Sequence, residues 1–256
     1  MSPSFRARLL GCVAFCLILE TPSAFAGRRA FLFTQDTEGV AQGDAELEQW
    51  LWGREAPKGT SASGTGWIWF GPVYGMTRDL ELAMPWEIVT GSAGTRLSDF
   101  AFEARYKIWP EDPGEHAGLG LRARLYYQSN FDHPFNGGRF GVPWLGADLI
   151  ASWGRPGGSH ATLDVGGYMD AFGSRPLMHG TGDLGYTYQV SKEWRVGAEA
   201  YADLSLGSLL PDNDHFWAGP VVAFSRAQVW VTAGVLVGLD STAPASIPRL
   251  MVGVSL

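Results

Sequence analysis

The feature that most constrains this chain is a period-two alternation of apolar and polar residues, recurring from residue 80 to the C-terminus. Leu80, Leu82, Met84, Trp86 and Ile88 alternate with Glu81, Ala83, Pro85 and Glu87. Phe100, Phe102, Ala104, Tyr106 and Ile108 alternate with Asp99, Ala101, Glu103, Arg105 and Lys107. The same pattern runs through 117–127, 194–204 and 229–239. Weaker versions cover 44–54, 65–75, 144–153, 161–170, 183–190, 216–225 and 249–256. Successive side chains of a strand point to opposite faces, so segments of about ten such residues fit a strand with one lipid face and one lumen face. The segments at 65–75 and 216–225 are apolar on both parities, and their faces stay unassigned.

The connections sort by length. Residues 76–79, 191–193 and 226–228 are tight, whereas 55–64, 89–98, 128–143, 171–182, 206–215 and 240–248 are longer and rich in Gly, Pro, Ser or Asp. A barrel alternates short inner turns with long outer loops, with 109–116 and 154–160 here as over-long inner turns. A soluble β-sandwich also uses period-two strands but has no reason to sort its loops this way. The expected fold is therefore all-β: an antiparallel transmembrane barrel of about 12 strands. Leu250, Val252, Val254 and Leu256 alternate up to the last residue, as a closing strand should, although Leu256 stands where an aromatic is usual.

The N-terminus reads as a secretory signal peptide over residues 1–26. Arg6 and Arg8 precede an apolar run from Leu9 to Leu19, and Ala24-Phe25-Ala26 fits a cleavage site after Ala26. That run is too short to span a bilayer as a helix. A lipobox reading of Leu9-Leu10-Gly11-Cys12 leaves almost no apolar region ahead of the cysteine. Residues 27–256 are then the barrel, with 27–43 as a periplasmic N-terminal segment. Both cysteines, Cys12 and Cys16, fall in the signal, so the mature chain has neither disulfide nor thiol chemistry. Without Arg6, Arg8 and Glu20 it carries 17 basic and 25 acidic residues, a net charge of −8 that gives nucleic acid no footing.

Facing inward by parity are a basic stripe of Arg105, Lys107, Arg122 and Arg124, and an acidic wall of Asp148, Asp164, Asp183, Glu199 and Asp203. Charges need pairing or water there, so the stripe is either part of a salt-bridged plug or one side of a wet channel. Inward glycines, among them Gly120, Gly185 and Gly234, leave free volume that favours the channel. Tyr126, Tyr168, Tyr201 and Trp230 would offer stacking faces to an aromatic or sugar-like solute. The five histidines, at 116, 133, 160, 179 and 215, show no ligand spacing and read as solvated loop residues. No metal, cofactor or catalytic residue is expected.

Two stretches carry a resemblance. Phe31-Leu32-Phe33-Thr34 through Gly43-Asp44-Ala45-Glu46-Leu47-Glu48-Gln49-Trp50, and Gly75-Met76-Thr77-Arg78-Asp79-Leu80-Glu81-Leu82, resemble motifs of outer-membrane barrels labelled for a phenol-degradation (MetA) pathway. The resemblance implies an outer-membrane barrel and transport of small, aromatic compounds. The leading expectation is passive, weakly selective passage of a small solute across the outer membrane of a Gram-negative bacterium. Expected partners are outer-membrane lipid, the barrel-assembly machinery and a small-molecule solute. Two rivals stand beside it: a closed barrel whose outer loops meet a partner or surface, and a rim lipid hydrolase using Ser159 and His160.

Overall fold

A computed structural model of the chain describes residues 29–55, 65–91, 94–111, 118–130, 143–154, 158–170, 178–206, 214–240 and 243–256. Thirteen strand segments follow one another: β1 (Ala45–Arg54), β2 (Thr65–Gly75), β3 (Leu80–Ala83), β4 (Trp86–Gly91), β5 (Gly94–Trp109), β6 (Leu119–Asn130) and β7 (Trp144–Gly154). Then come β8 (Ser159–Asp170), β9 (Met178–Gln189), β10 (Trp194–Leu206), β11 (His215–Arg226), β12 (Val229–Gly238) and β13 (Ser246–Ser255). Neighbours in sequence pair antiparallel apart from β3 and β4, and β1 pairs with β13, which closes the sheet and removes its edges. Because β2 and β5 each pair with both β3 and β4, these two are halves of one stave, and the barrel has 12 strands.

The break in that stave is chemical. Pro85 has no N–H to give to a ladder. Its carbonyl still accepts the Ala101 amide at 2.9 Å, and the Met84 amide donates to Pro72 at 3.1 Å, so the wall holds across the gap. Opposite lies Gly71, where a Cβ would sit 2.6 Å from the Pro85 Cα.

Register settles the faces that alternation left open. Trp67, Trp69 and Val73 oppose Trp52, Trp50 and Glu46 on the inner face, and Trp217 opposes Tyr201. Two expected loops proved shorter. The stretch 89–98 belongs mostly to strands, with Gly91 paired to Gly94, and β9 starts at 178 rather than 183. Gly180-Thr181-Gly182 has no apolar alternation to betray a strand, so only ladder pairing with β8 and β10 reveals it.

The surface is inside out relative to a soluble protein. Leu125, Val165 and Leu184 are exposed by 63%, 53% and 54%, while Arg105, Arg122, Thr162 and Thr187 are buried. An apolar patch of that extent marks a membrane or partner surface. At the short-turn end the exposed aromatics Tyr74, Tyr106, Trp109, Trp153, Tyr188 and Trp194 form a girdle, as interfacial residues do in membrane barrels.

Residues 27–43 were expected from the sequence to be a periplasmic N-terminal segment. In the structure 29–40 run inside the barrel. The chain then turns over the short-turn rim, where the Gly43 amide donates to Gly75 at 2.8 Å and the Gly75 amide to Asp44 at 3.1 Å. Ala30, Phe31 and Leu32 form an internal apolar core with Trp217, Val221, Leu236, Ala243 and Ile247. Burying Phe31 and Leu32 contributes roughly 1.5–3 kcal/mol each.

Candidate functional site

The lumen is built around this inner segment. Its backbone has no strand partner, so side chains of the wall supply the hydrogen bonds that buried amides require. Glu199 on β10 accepts the amides of Leu32 and Phe33 at 2.8 Å each, and both the amide and the hydroxyl of Thr34. Arg29 forms a forked pair with Glu48 on β1 at 3.0 and 3.1 Å, and its carbonyl accepts the Thr232 hydroxyl. Arg122 on β6 donates to the carbonyls of Asp36 and Glu38 at 2.9 and 2.8 Å. Val40 gives its amide to Glu81 at 2.7 Å, and Thr37 bonds Ser152 on β7 through their hydroxyls.

The basic stripe faces inward but is interleaved with carboxylates. Arg105 lies 2.7 Å from both Glu81 and Glu103, and Arg122 is 2.8 Å from the same Glu81 oxygen. Arg124 pairs with Asp148, its cross-strand neighbour on β7, and covers the Tyr126 ring at 4.6 Å. Asp148, read from the sequence as part of a separate acidic wall, is thus joined to the stripe on the neighbouring strand, where register brings the two side chains together. Lys107 is half-buried towards the short-turn end and makes no ion pair among the described residues.

The other acids divide by role. Asp164 and Asp183 stand directly opposite each other on β8 and β9, a costly placement for two like charges. Asp203 accepts from His179 at 2.9 Å and from the Tyr168 hydroxyl at 3.2 Å. The four aromatics singled out by sequence all point inward, and each is engaged by the protein. Tyr168 stacks between Trp144 and His179, Tyr201 between Phe33 and Trp217, and Trp230 lies over Gly253.

The inward glycines do not leave general free volume. A Cβ at Gly185 would fall 2.4 Å from the Phe31 ring, one at Gly234 2.4 Å from the Pro220 carbonyl and 2.8 Å from Leu32, and one at Gly120 2.4 Å from the Thr37 hydroxyl. They are seats for the inner segment. The histidine reading also changes: His160 and His179 are buried strand residues on the inner face, and His215 opens β11. His116 and His133 lie outside the described residues. Ser159 and His160 are adjacent in β8, so they point to opposite faces and cannot act as a pair.

Parity puts Glu46 and Glu48 on the inner face, but the lumen groups beside them were missed: Trp50 and Trp52 share that face and stack on Trp69 and Trp67 at 3.8 and 4.2 Å. Arg249 alternates with the outward Leu250 and lies 4.5 Å over both Phe33 and Trp50. Beside the short-turn rim, burial pushes the Asp36 carboxyl up, but the charge and hydrogen bond of His160, with the Thr37 amide and Arg122, hold it below the ordinary carboxylate range.

Fold and lumen define the class: a closed 12-strand antiparallel barrel with an apolar outer face, a charged and aromatic inner one, and a chain segment within. Solved structures share this architecture. An outer membrane channel from Pseudomonas putida F1 is similar with a TM-score of 0.56 and 16% identity, over 86% of this chain and 98% of that one. The NanC porin gives 0.56 at 11% identity, covering 83% and 98%, and the KdgM porin 0.52 at 11%, covering 82% and 99%. At these identities the likeness is one of fold. No family model matches the chain, and no curated protein matches it in sequence.

Proposed function

We propose that the protein is an outer-membrane channel for passive, weakly selective passage of a small solute, with residues 29–40 as the constriction inside its lumen. The observation that carries this reading is the way the segment is held. It belongs to no strand ladder and is fixed to the wall by side chains, chiefly Glu199, Glu48 and Arg122. Such a segment can leave its seat without breaking the barrel. Its departure would uncover Arg249, Tyr201 and Trp50, a cationic and aromatic surface fitted to an anionic solute with an aromatic or sugar ring.

The resemblance to phenol-degradation barrels supports the aromatic choice. Its two motifs meet in space at the Gly43–Gly75 bonds, where the segment enters, and a Cβ at Gly75 would sit 2.1 Å from the Ala41 carbonyl. Among the similar structures, the KdgM porin was solved with disordered oligogalacturonate, which favours the sugar-acid choice. Outer-membrane lipid and the barrel-assembly machinery are the further partners of this reading. A second reading has its own observation: the stripe is neutralised and the lumen filled at the segment's level, as in a closed barrel that displays loops. Planar-bilayer recording of the purified protein separates the two. Discrete conductance steps support the channel, and a silent barrel under all voltages sinks it.

A further inference from the structure

We propose that Asp36, Glu111 and His160 form a binding site for a divalent metal ion of the zinc class, which ties the inner segment to the barrel wall. The three come from separate parts of the chain: the segment, the stretch just beyond β5, and β8. One ligand atom from each lies within 4.8 Å of the other two. Asp36 Oδ2 is 3.0 Å from His160 Nε2, and Glu111 Oε1 is 3.4 Å from His160 Nδ1. Bonds of about 2.0–2.2 Å to a tetrahedral ion set ligand atoms roughly 3.3 Å apart, so Asp36 and His160 Nε2 already stand at ligand spacing and Glu111 must close in. Because the carboxylates approach different ring nitrogens, an ion on Nε2 draws Glu111 across the ring edge. Glu111, beyond the end of β5 and outside its ladder, is the ligand best able to shift.

The surrounding hydrogen bonds single out those oxygens. The Thr37 amide donates to Asp36 Oδ1 at 2.7 Å, and the Ser152 hydroxyl donates to Glu111 Oε2 at 2.6 Å. Each carboxylate is thus held by one oxygen while the other faces the imidazole, the outer support that metal ligands characteristically have. Charge points the same way. Within the trio, two carboxylates against one protonated imidazole carry a net negative charge that Arg122, already shared with Glu81, only partly offsets, whereas a divalent ion on the neutral ring balances the trio itself. An imidazole with two carboxylates suits zinc better than calcium or magnesium, which take all-oxygen sites. Sequence spacing could not show this, since the ligands are 75 and 49 residues apart.

The test uses the full mature chain, without an affinity tag, in detergent after chelator treatment. Zinc chloride is titrated calorimetrically, and bound zinc is counted after dialysis. One zinc per chain is expected. Asp36→Asn and Glu111→Gln, which keep shape and lose ligand charge, should each weaken binding by more than about 100-fold, beyond the roughly 10–100-fold typical of losing an outer partner. His160→Ala should abolish it, while His215→Gln leaves it unchanged. Heat-modifiable migration confirms that every variant is folded. A wild type that retains no zinc, or folded carboxamide variants that bind as tightly as wild type, overturns the site. Neither result depends on whether the barrel conducts.

Discussion

The Glu199 carboxylate accepts both the amide and the hydroxyl of Thr34, at 2.5 and 2.7 Å, and so joins residues 165 apart in sequence inside one lumen. Hydrogen bonds to a charged group contribute about 1.5–3 kcal/mol each. Glu199→Ala should therefore loosen the inner segment while the wall, paired through its own backbone, persists. Hydrogen exchange should quicken at Leu32, Phe33 and Thr34 by at least about tenfold. Unchanged protection there would mean that the apolar core alone holds the segment.

Gly185 offers a steric route to the same end. A larger side chain there meets Phe31, and overpacking costs about 1–3 kcal/mol. Gly185→Val should destabilise the seated segment and raise open probability in a bilayer. Adding Phe31→Ala should restore the seating, since it removes the ring that the new methyls strike. Additive effects of the two changes, measured by exchange at Leu32, would show that they do not meet.

Thr37 and Ser152 touch through their hydroxyls, and the mature chain expected from the sequence has no cysteine. Thr37→Cys with Ser152→Cys should form a disulfide on mild oxidation, seen as loss of labelling by a maleimide. If displacement of the segment opens the channel, oxidation should silence conductance and reduction restore it. Equal conductance in both states would remove the segment from the gating role.

Leu184 sits near the middle of β9 and faces outward with its neighbour Leu163. Leu184→Arg should cost about 2–4 kcal/mol of folding stability in lipid vesicles if it lies near the bilayer midplane. An inward position such as Thr232 would not serve as a control, because its hydroxyl holds the Arg29 carbonyl and the site is fully buried. An exposed loop-end change such as Glu55→Arg is the proper comparison, expected within about 0.5 kcal/mol. Equal costs at Leu184 and Glu55 would contradict a lipid-facing wall.

Strand number, the faces of all but two strands and the closing strand were legible in the sequence, because a β-strand fixes side-chain direction residue by residue. Glu81, Glu103, Arg105 and Arg122 could be placed inward from that rule alone. Local periodicity carries no distance across a closed sheet, however. It could not pair Arg124 with Asp148 instead of a carboxylate farther round the wall, since register is set by the whole ladder. It was silent, too, about residues 29–40, which have no regular period and whose amides, carbonyls and side chains find partners on β1, β3, β6, β7, β10 and β12. The glycines show the difference most clearly. Sequence reads Gly120, Gly185 and Gly234 as missing side chains, and only the closed barrel decides that Thr37, Phe31 and Leu32 fill those gaps, because volume in a lumen belongs to whatever the ring of strands encloses.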